Sequence, residues 1–405
     1  MRRLTFIFSM ILVSAARAQI TVPNVRLPAL PQVPLTSAVA DDARTDLRRL
    51  EDVRRLAVRD LIRRNRTVIQ ADRNGAAIVR GEIVAVSPEQ TVIDAAVATG
   101  FTVVRTRVLE GLDAQLVVLG VPHGMDTLRA LDELRSLAPS TQFDLNHIYT
   151  SSGGEVHSAP MQTRAPSAAG KLGLIDSGVD AAHPIFKDVL LHQHGCSAPV
   201  PEAHGTAVAS LMVAPGAELY AADVYCGQPT GGAADAVADA FSWLAHERVP
   251  VINVSLVGPP DVTLETVVRL VIARGHLVVA AVGNDGPAAP PLYPASYPGV
   301  VGVTGVDAHR RVLFEAGRGP QVRFAAPGAD ISAAKSAHTY EVVRGTSFAS
   351  PIVASLLAAR LPAPDPTGAQ RAIEALAREA IDLGAAGPDP IYGFGLVGAD
   401  YGKSK

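Results

Sequence analysis

Four residues of this 405-residue chain stand in settings that acyl transfer requires. Asp176 closes the apolar run Gly173-Leu174-Ile175 and is followed by Ser177-Gly178. His204 opens the helical pattern His204-Gly205-Thr206-Ala207-Val208-Ala209. Ser347 sits in Gly345-Thr346-Ser347-Phe348-Ala349-Ser350-Pro351, a glycine turn that feeds the apolar positions Ile352, Val353, Leu356 and Leu357. Asn284 closes a further apolar strand before Asp285-Gly286. Singly, each has a plainer reading: an Asx turn for Asp176, a capping side chain for His204 and Ser347, a turn for Asn284. Jointly they supply a weak nucleophile, a base to take its proton, an acid to orient the base, and an amide that can donate to an oxyanion. An imidazole at a helix start meets the positive end of the dipole. That favours the neutral form a base needs, with activity rising near the ordinary value of ~6.5. A serine at a helix start has backbone N–H groups near any oxyanion formed on its acyl partner.

The four residues fall in blocks reading GLIDSGVD, HGTAVASLMVAP, VVAAVGNDGP and RGTSFASPIVA, with VINVSL and YPASYPGVVGV between them. In their order and separations these blocks resemble the subtilase family of subtilisin-like serine proteases, from about residue 171 to the C-terminus. The resemblance implies Asp176 as orienting acid, His204 as general base and then acid, and Ser347 as nucleophile. Asn284 matches the oxyanion donor, with the Ser347 backbone N–H as the second. It further implies that an extended substrate pairs with two edges of a groove, Ser255-Leu256-Val257-Gly258 and the segment at Thr230-Gly231-Gly232. Val257 stands where the family usually has glycine, and the segment Asn284–Tyr293 is short, with Leu292 near the wall of the primary pocket. A narrowed pocket for small or medium apolar side chains is expected. No cofactor is expected. The helix after His204 runs almost directly into Val213-Ala214-Pro215-Gly216, so the family's usual calcium loop is missing, which leaves open a calcium ion elsewhere.

Positioning these residues falls to short apolar strands, Leu172–Ile175, Leu219–Val224, Val251–Val254, Leu277–Val282 and Val300–Val303. Helical stretches near Thr206–Val213, Ala233–His246, Leu264–Arg274 and Ala349–Ala359 alternate with them. Runs buried on both faces and joined by helices make a mostly parallel sheet in a three-layer α/β fold, which gathers functional groups at the carboxyl ends of its strands. The catalytic domain is thus expected over 171–405. Ahead of it, 76–150 reads β-α-β-β-α-β, the split βαβ (ferredoxin-like) order of a small α+β domain, with Ser87 as N-cap and Pro88 as first residue of its first helix. By resemblance this is a prodomain, chaperone and inhibitor at once, released by self-cleavage near residues 149–160 in the Ser/Gly/Pro/Thr-rich linker 151–170. Residues 19–75 combine a Pro-punctuated linker with an Arg-rich helix over 41–66, read as a solvated, salt-bridged face.

The start, with Arg2 and Arg3, an apolar run Leu4–Val13 and Ala16-Arg17-Ala18, reads as a signal peptide over 1–18. No later stretch is long and apolar enough to span a bilayer. An exported, periplasmic or secreted protein follows, with no membrane partner. Its net charge of −3 is not that of a nucleic-acid binder, and 48% hydrophobic residues exclude a disordered chain. Cys196 and Cys226 form a disulfide in an oxidising compartment or remain two buried thiols. Expected partners are protein or peptide substrates and the prodomain 76–150, on a monomer. The zinc-like types of His192, His194, Cys196 and His204 lack regular ligand spacing, so no metal site is assigned. The expected function is an exported serine endopeptidase made as a zymogen. A non-catalytic peptide-binding scaffold is the rival. An esterase would want a Gly-x-Ser-x-Gly elbow that Ser347 lacks.

Overall fold

The computed structural model describes residues 53–151, 154–159, 170–335 and 338–401. The expected signal peptide, the proline-rich stretch and most of linker 151–170 lie outside the described residues. Helix α1 (53–64) is the described part of the Arg-rich helix.

An antiparallel sheet follows: β1 (Ile69–Ala71), β2 (Ala77–Val86), β3 (Thr102–Leu109), β4 (Ala114–Gly120) and β5 (Phe143–His147). Helix α2 (Gln90–Ala98) separates β2 from β3, and α3 (Thr127–Leu137) separates β4 from β5. The order is β1-β2-β4-β3, with β5 also pairing β2. This is the split arrangement, extended by β1 before the boundary at 76. Ser87 does not cap α2. Its N–H donates to Gln115 O and its Oγ accepts from Gln115 N, so it prolongs the β2–β4 ladder, and Glu89 is the N-cap. Alternation gives this sheet two apolar faces. Ile83, Ala85, Val117 and Leu119 pack under α2 and α3, whereas Val84, Leu116 and Val118 join the core of the large unit.

The large unit is built on seven parallel strands in the order β15-β14-β13-β11-β8-β10-β9. These are β8 (Lys171–Asp176), β9 (Leu190–His194), β10 (Glu218–Asp223), β11 (Val251–Val254), β13 (Leu277–Ala281), β14 (Val301–Val306) and β15 (Val322–Pro327). Successive β8 residues feed opposite layers. Leu172 and Leu174 pack with α4 (Ala203–Met212) and α7 (Thr346–Ala358), and Ile175 with α5 (Ala234–His246) and α6 (Val262–Ala273). Helix α8 (Pro366–Glu379) closes the α7 side. Two smaller sheets complete the fold. In one, β12 (Leu256–Val257) pairs antiparallel with β6 (Thr150–Ser151). In the other, β17 (Thr339–Arg344) lies between β16 (Ala329–Lys335) and β7 (Gly154–Ala159). Among the described residues no helix is long and apolar enough to cross a membrane.

Candidate active site

Asp176 is the last residue of β8, an inner strand between β11 and β10, and is fully buried. Its Oδ1 accepts from the Ser177 N–H at 2.7 Å and from the Ser177 hydroxyl at 3.2 Å. The same Ser177 oxygen accepts from Gly205 N–H at 3.0 Å, so one side chain ties the end of β8 to the first turn of α4. A Cβ on Gly205 would lie 2.0 Å from the Ser177 carbonyl oxygen, so this close approach of helix to strand admits only glycine. It brings His204, on α4, to the acid: His204 Nδ1 lies 2.8 Å from Asp176 Oδ1. His204 Nε2 is buried and has no hydrogen-bond partner among the described residues.

Ser347 lies in the first turn of α7. Gly345, with φ 137°, is the N-cap, a conformation that glycine enters without steric cost. The Ser347 hydroxyl donates to the Ser255 carbonyl at 3.3 Å. The imidazole is close by, with its ring centroid 5.5 Å from that of Phe348, the next residue. The structure thus closes the acid–base limb of the row and turns the serine hydroxyl to Ser255. Asn284 is anchored by its oxygen, which accepts from Thr346 N–H at 3.0 Å, while Thr346 Oγ1 accepts from Gly283 N–H at 3.2 Å. This leaves Asn284 Nδ2 buried and, among the described residues, without a partner. Two buried polar atoms without partners, one on the imidazole and one on the amide, are costly in a finished core but suited to a site that a ligand completes.

The electrostatics correct one expectation. Burial alone would depress the His204 pKa, but the Asp176 carboxylate, by charge and hydrogen bond, with Glu202 and Glu341 beyond it, raises it above the ordinary value. The acid beside the imidazole outweighs the dipole of α4. Glu202 is itself raised, by burial and then by Asp223 and Asp176. Asp223 stands beside Asp176 in register at the end of β10 and is raised by burial and by that neighbour, against the backbone N–H groups of Cys226 and Tyr225.

The groove residues come together around a strand of the chain itself. Val257 pairs with Thr150 and Leu256 with Ser151, antiparallel. On the other side Tyr149 N–H donates to Gly232 O at 2.8 Å, and Ile148 bridges Ala233. Gly231 underlies this edge, packed so close to Tyr225 that a Cβ would come within 2.6 Å of its backbone. The Ser255 hydroxyl, rather than facing the groove, donates to Ser347 O at 2.9 Å and accepts from Asn253 Nδ2 at 2.9 Å. Gly258 exchanges both backbone hydrogen bonds with Tyr293. Val257 is buried, and Leu292 packs against the backbone of Gly283.

Cys196 and Cys226 are bonded, with Cα atoms 5.5 Å apart, joining the segments that follow β9 and β10. The disulfide removes Cys196, and the Asp176 contact removes His204, from the zinc-like set. Among the described residues, Asp144, His147 and Asp261 form a buried group close enough to hold a cation. There the carboxylates also serve as helix caps, Asp144 Oδ2 accepting from Val262 N–H at 2.8 Å and Asp261 Oδ1 from Leu264 N–H at 2.9 Å. Sequence reasoning missed Ser177, Thr346 and Glu202. Ser177 carried a signal, being a hydroxyl directly after the candidate acid.

A family model described as the subtilase family matches residues 168–395. The minor extracellular protease Epr of Bacillus subtilis (strain 168) is 31% identical over 207 residues, covering 48% of this chain and 32% of that protein. Subtilisin DY of Bacillus licheniformis is 32% identical over 252 residues, covering 57% of this chain and 89% of that protein. The match thus spans about a third of Epr and most of subtilisin DY. Among solved structures, fervidolysin from Fervidobacterium pennivorans, a keratinolytic enzyme related to subtilisin, superposes with a TM-score of 0.65 at 20% identity, over 82% of this chain and 62% of that one. At that identity the likeness is one of fold.

Proposed function

The chain belongs to the subtilase family, and on that premise we propose that it is an exported serine endopeptidase made as a self-processing zymogen. The observation that carries the reading is the imidazole held by Asp176 through Nδ1 with Nε2 buried and unpartnered, on the same site as the unpartnered Asn284 amide. Ser347 Oγ, once rotated from the Ser255 carbonyl, attacks the peptide carbonyl while His204 Nε2 takes its proton. Asp176 holds the tautomer and stabilises the imidazolium. Asn284 Nδ2 and the N-terminus of α7 meet the developing oxyanion. His204 then protonates the leaving amine, and water hydrolyses the acyl-enzyme.

Residues 76–150, with β1 added, act as the prodomain, and the groove is the site for protein or peptide substrates. The antiparallel pairing of Thr150–Ser151 with Leu256–Val257 supports both statements, because it is the geometry of an added substrate strand. Gly154 pairs with Arg344, three residues before Ser347, which supports self-cleavage just after this strand, within the expected 149–160. Burial of Val257, with Leu292 against Gly283, supports a narrowed primary pocket for small or medium apolar side chains. No cofactor enters these steps, and a monomer suffices for them. Export rests on the N-terminal reading and accords with the extracellular relative.

Labelling the purified protein with a fluorophosphonate, beside Ser347→Ala, tests the proposal. Labelling of the parent and not of the variant is expected, with self-processing lost in the variant. A wild-type protein that takes no label, or a Ser347→Ala protein that still processes itself, overturns it.

A further inference from the structure

We propose that the groove selects tyrosine: it has a pocket for a phenol whose hydroxyl is read by the Pro259 carbonyl, and peptides carrying Tyr at the position of Tyr149 are its preferred class of substrate. The inference rests on the reading of Tyr149–Ser151 as a substrate-like strand.

Tyr149 is the anchor of that strand. Its side chain is wholly buried, while Thr150 and Ser151 are partly exposed. Both of its backbone groups are satisfied by the groove, N–H to Gly232 O at 2.8 Å and carbonyl from the Tyr225 hydroxyl at 3.1 Å. Residue and register are therefore fixed together. The ring lies against Gly258, where a Cβ would come within 2.5 Å of Cδ1, so the pocket exists only because position 258 has no side chain. At the far end the Tyr149 hydroxyl donates to Pro259 O at 3.0 Å. The Tyr297 hydroxyl lies 3.4 Å away, and its own proton is committed to Asp261 O at 2.9 Å. The oxygens at this end thus call for a donor, which tyrosine brings and phenylalanine does not. Burial, followed by the charges of Tyr297 and Asp261, raises the Tyr149 phenol well above its ordinary value, so it remains a donor at any working pH. Sites built to bond a hydroxyl reject the analogue that lacks it, because their own acceptor is then left facing carbon.

The test uses processed enzyme from the full chain, its active fraction counted by fluorophosphonate. Three synthetic peptides with the sequence of residues 145–156 carry Tyr, Phe or Ala at the Tyr149 position. Expected kcat/KM falls about tenfold from Tyr to Phe and at least about tenfold more to Ala. Phe equal to or better than Tyr overturns the selectivity, as does failure to cut any of the three by an enzyme that cuts casein. Failure to titrate with fluorophosphonate sinks the protease reading instead. In Gly258→Ala, measured on the titratable fraction alone, the Tyr-to-Ala ratio should collapse at least about tenfold, and an unchanged ratio overturns the pocket assignment.

A different observation carries a second inference: we infer that α1 is a latch over the groove, additional to the strand within it. Arg54 Nη1 donates to Asp285 Oδ2 at 2.7 Å, across 231 residues of chain, and Asp285 directly follows Asn284. Farther along α1, Val58, Leu61 and Ile62 pack on Ile69, Ala77, Val79, Ile148 and Ala233. The helix therefore joins the two rims, packing on the cluster that includes Ala233 of the strand-pairing edge and bonding Asp285 beside the oxyanion amide. Given the zymogen reading, Arg54→Glu in the full chain should shorten the lag before activity appears about threefold or more, an ion pair of this burial being worth a modest factor. Arg54→Glu combined with Asp285→Arg should restore the lag, each protein normalised to its titratable serine. An unchanged lag in Arg54→Glu, or a double variant as fast as the single, overturns the latch. A wild-type chain that never processes sinks the zymogen reading rather than this one.

Discussion

His204 and Asp176 are closed on each other through Nδ1 and Oδ1 at 2.8 Å, and that contact dictates which imidazole nitrogen is left to take a proton. A carboxylate at Nδ1 holds the hydrogen there and presents Nε2 as the lone-pair nitrogen. Asp176→Asn would keep the shape and favour the wrong tautomer. We expect kcat to fall by about four orders of magnitude with KM little changed, measured on protein whose far-ultraviolet dichroism matches the parent. A loss below about tenfold would remove Asp176 from its role.

The same contact sets the pH response. Burial pulls the His204 pKa down, and Asp176 with Glu202 and Glu341 more than reverses it. A base with a raised pKa stays protonated to higher pH, so the acid limb of kcat/KM should lie above the ordinary ~6.5 of an imidazole. Glu202→Gln removes one of the raising charges and should move that limb toward lower pH. A limb at or below 6.5 in the parent would contradict the assignment.

Among the described residues Asn284 Nδ2 has no hydrogen-bond partner. If it serves the oxyanion, Asn284→Ala should lower kcat by about 10²–10³ and leave KM nearly unchanged. A change confined to KM would show a ground-state contact instead.

The contact between the small and large units carries its own titration. Burial disfavours charge on His147, but the hydrogen bonds it donates to Asp261 and Asp72 raise it to about 10. Asp144 is raised to about 6 by burial and then by Asp261, although His147 and the backbone N–H groups of Val262 and Leu145 pull the other way. Both groups hold protons more tightly in the assembled chain than when exposed, so both stabilise it at low pH. The Asp144 share is lost as pH rises through about 6, and the His147 share as it rises through about 10. Arg135 Nη2 lies 3.6 Å from Asp144 Oδ1. Ser347→Ala protein should therefore lose several degrees of thermal stability between neutrality and pH 10.5. His147→Gln should flatten that slope, and an unaltered slope would remove His147 from the account.

Replacing Cys196 and Cys226 by serine opens a loop whose ends are 30 residues apart. Chain entropy alone predicts a loss of about 3 kcal/mol in denaturant unfolding. A loss under 1 kcal/mol would mean that the neighbouring Asp223 turn, fixed by N–H groups of Tyr225 and Cys226, holds these segments unaided.

The proposed catalytic residues were picked out because each follows a local rule: an acid after an apolar strand, a histidine and a serine at helix starts. The contact of Asp176 with His204 accords with that reading, whereas the serine hydroxyl is turned to Ser255. Five of the sheet's seven strands and the helices α4 to α7 were legible by the same kind of local rule, in apolar runs buried on both faces, whereas β15 and α8 were not picked out. What escaped depends on contacts between distant segments. Nothing local in Arg54 announces Asp285, and nothing in Tyr149 announces a pocket behind Gly258. The edge strand β9 was missed because its five residues are half-exposed or exposed, so the apolar run that marks the inner strands is absent. Ser87 misled because a hydroxyl before proline and glutamate suits a cap as well as it suits the end of a ladder, and only pairing with Gln115 decides between them.

The strands Thr150–Ser151 and Gly154–Ala159 belong to different sheets, one on Leu256–Val257 and the other on Thr339–Arg344. Severing the backbone between them would not send either stump drifting away, since each is moored by its own ladder. Under the proposed self-cleavage, the freshly exposed amine would stay at high local concentration beside the ester on Ser347, where it would compete with water. On that reading maturation would be a partition between resealing and hydrolysis, decided by how quickly one mooring gives way.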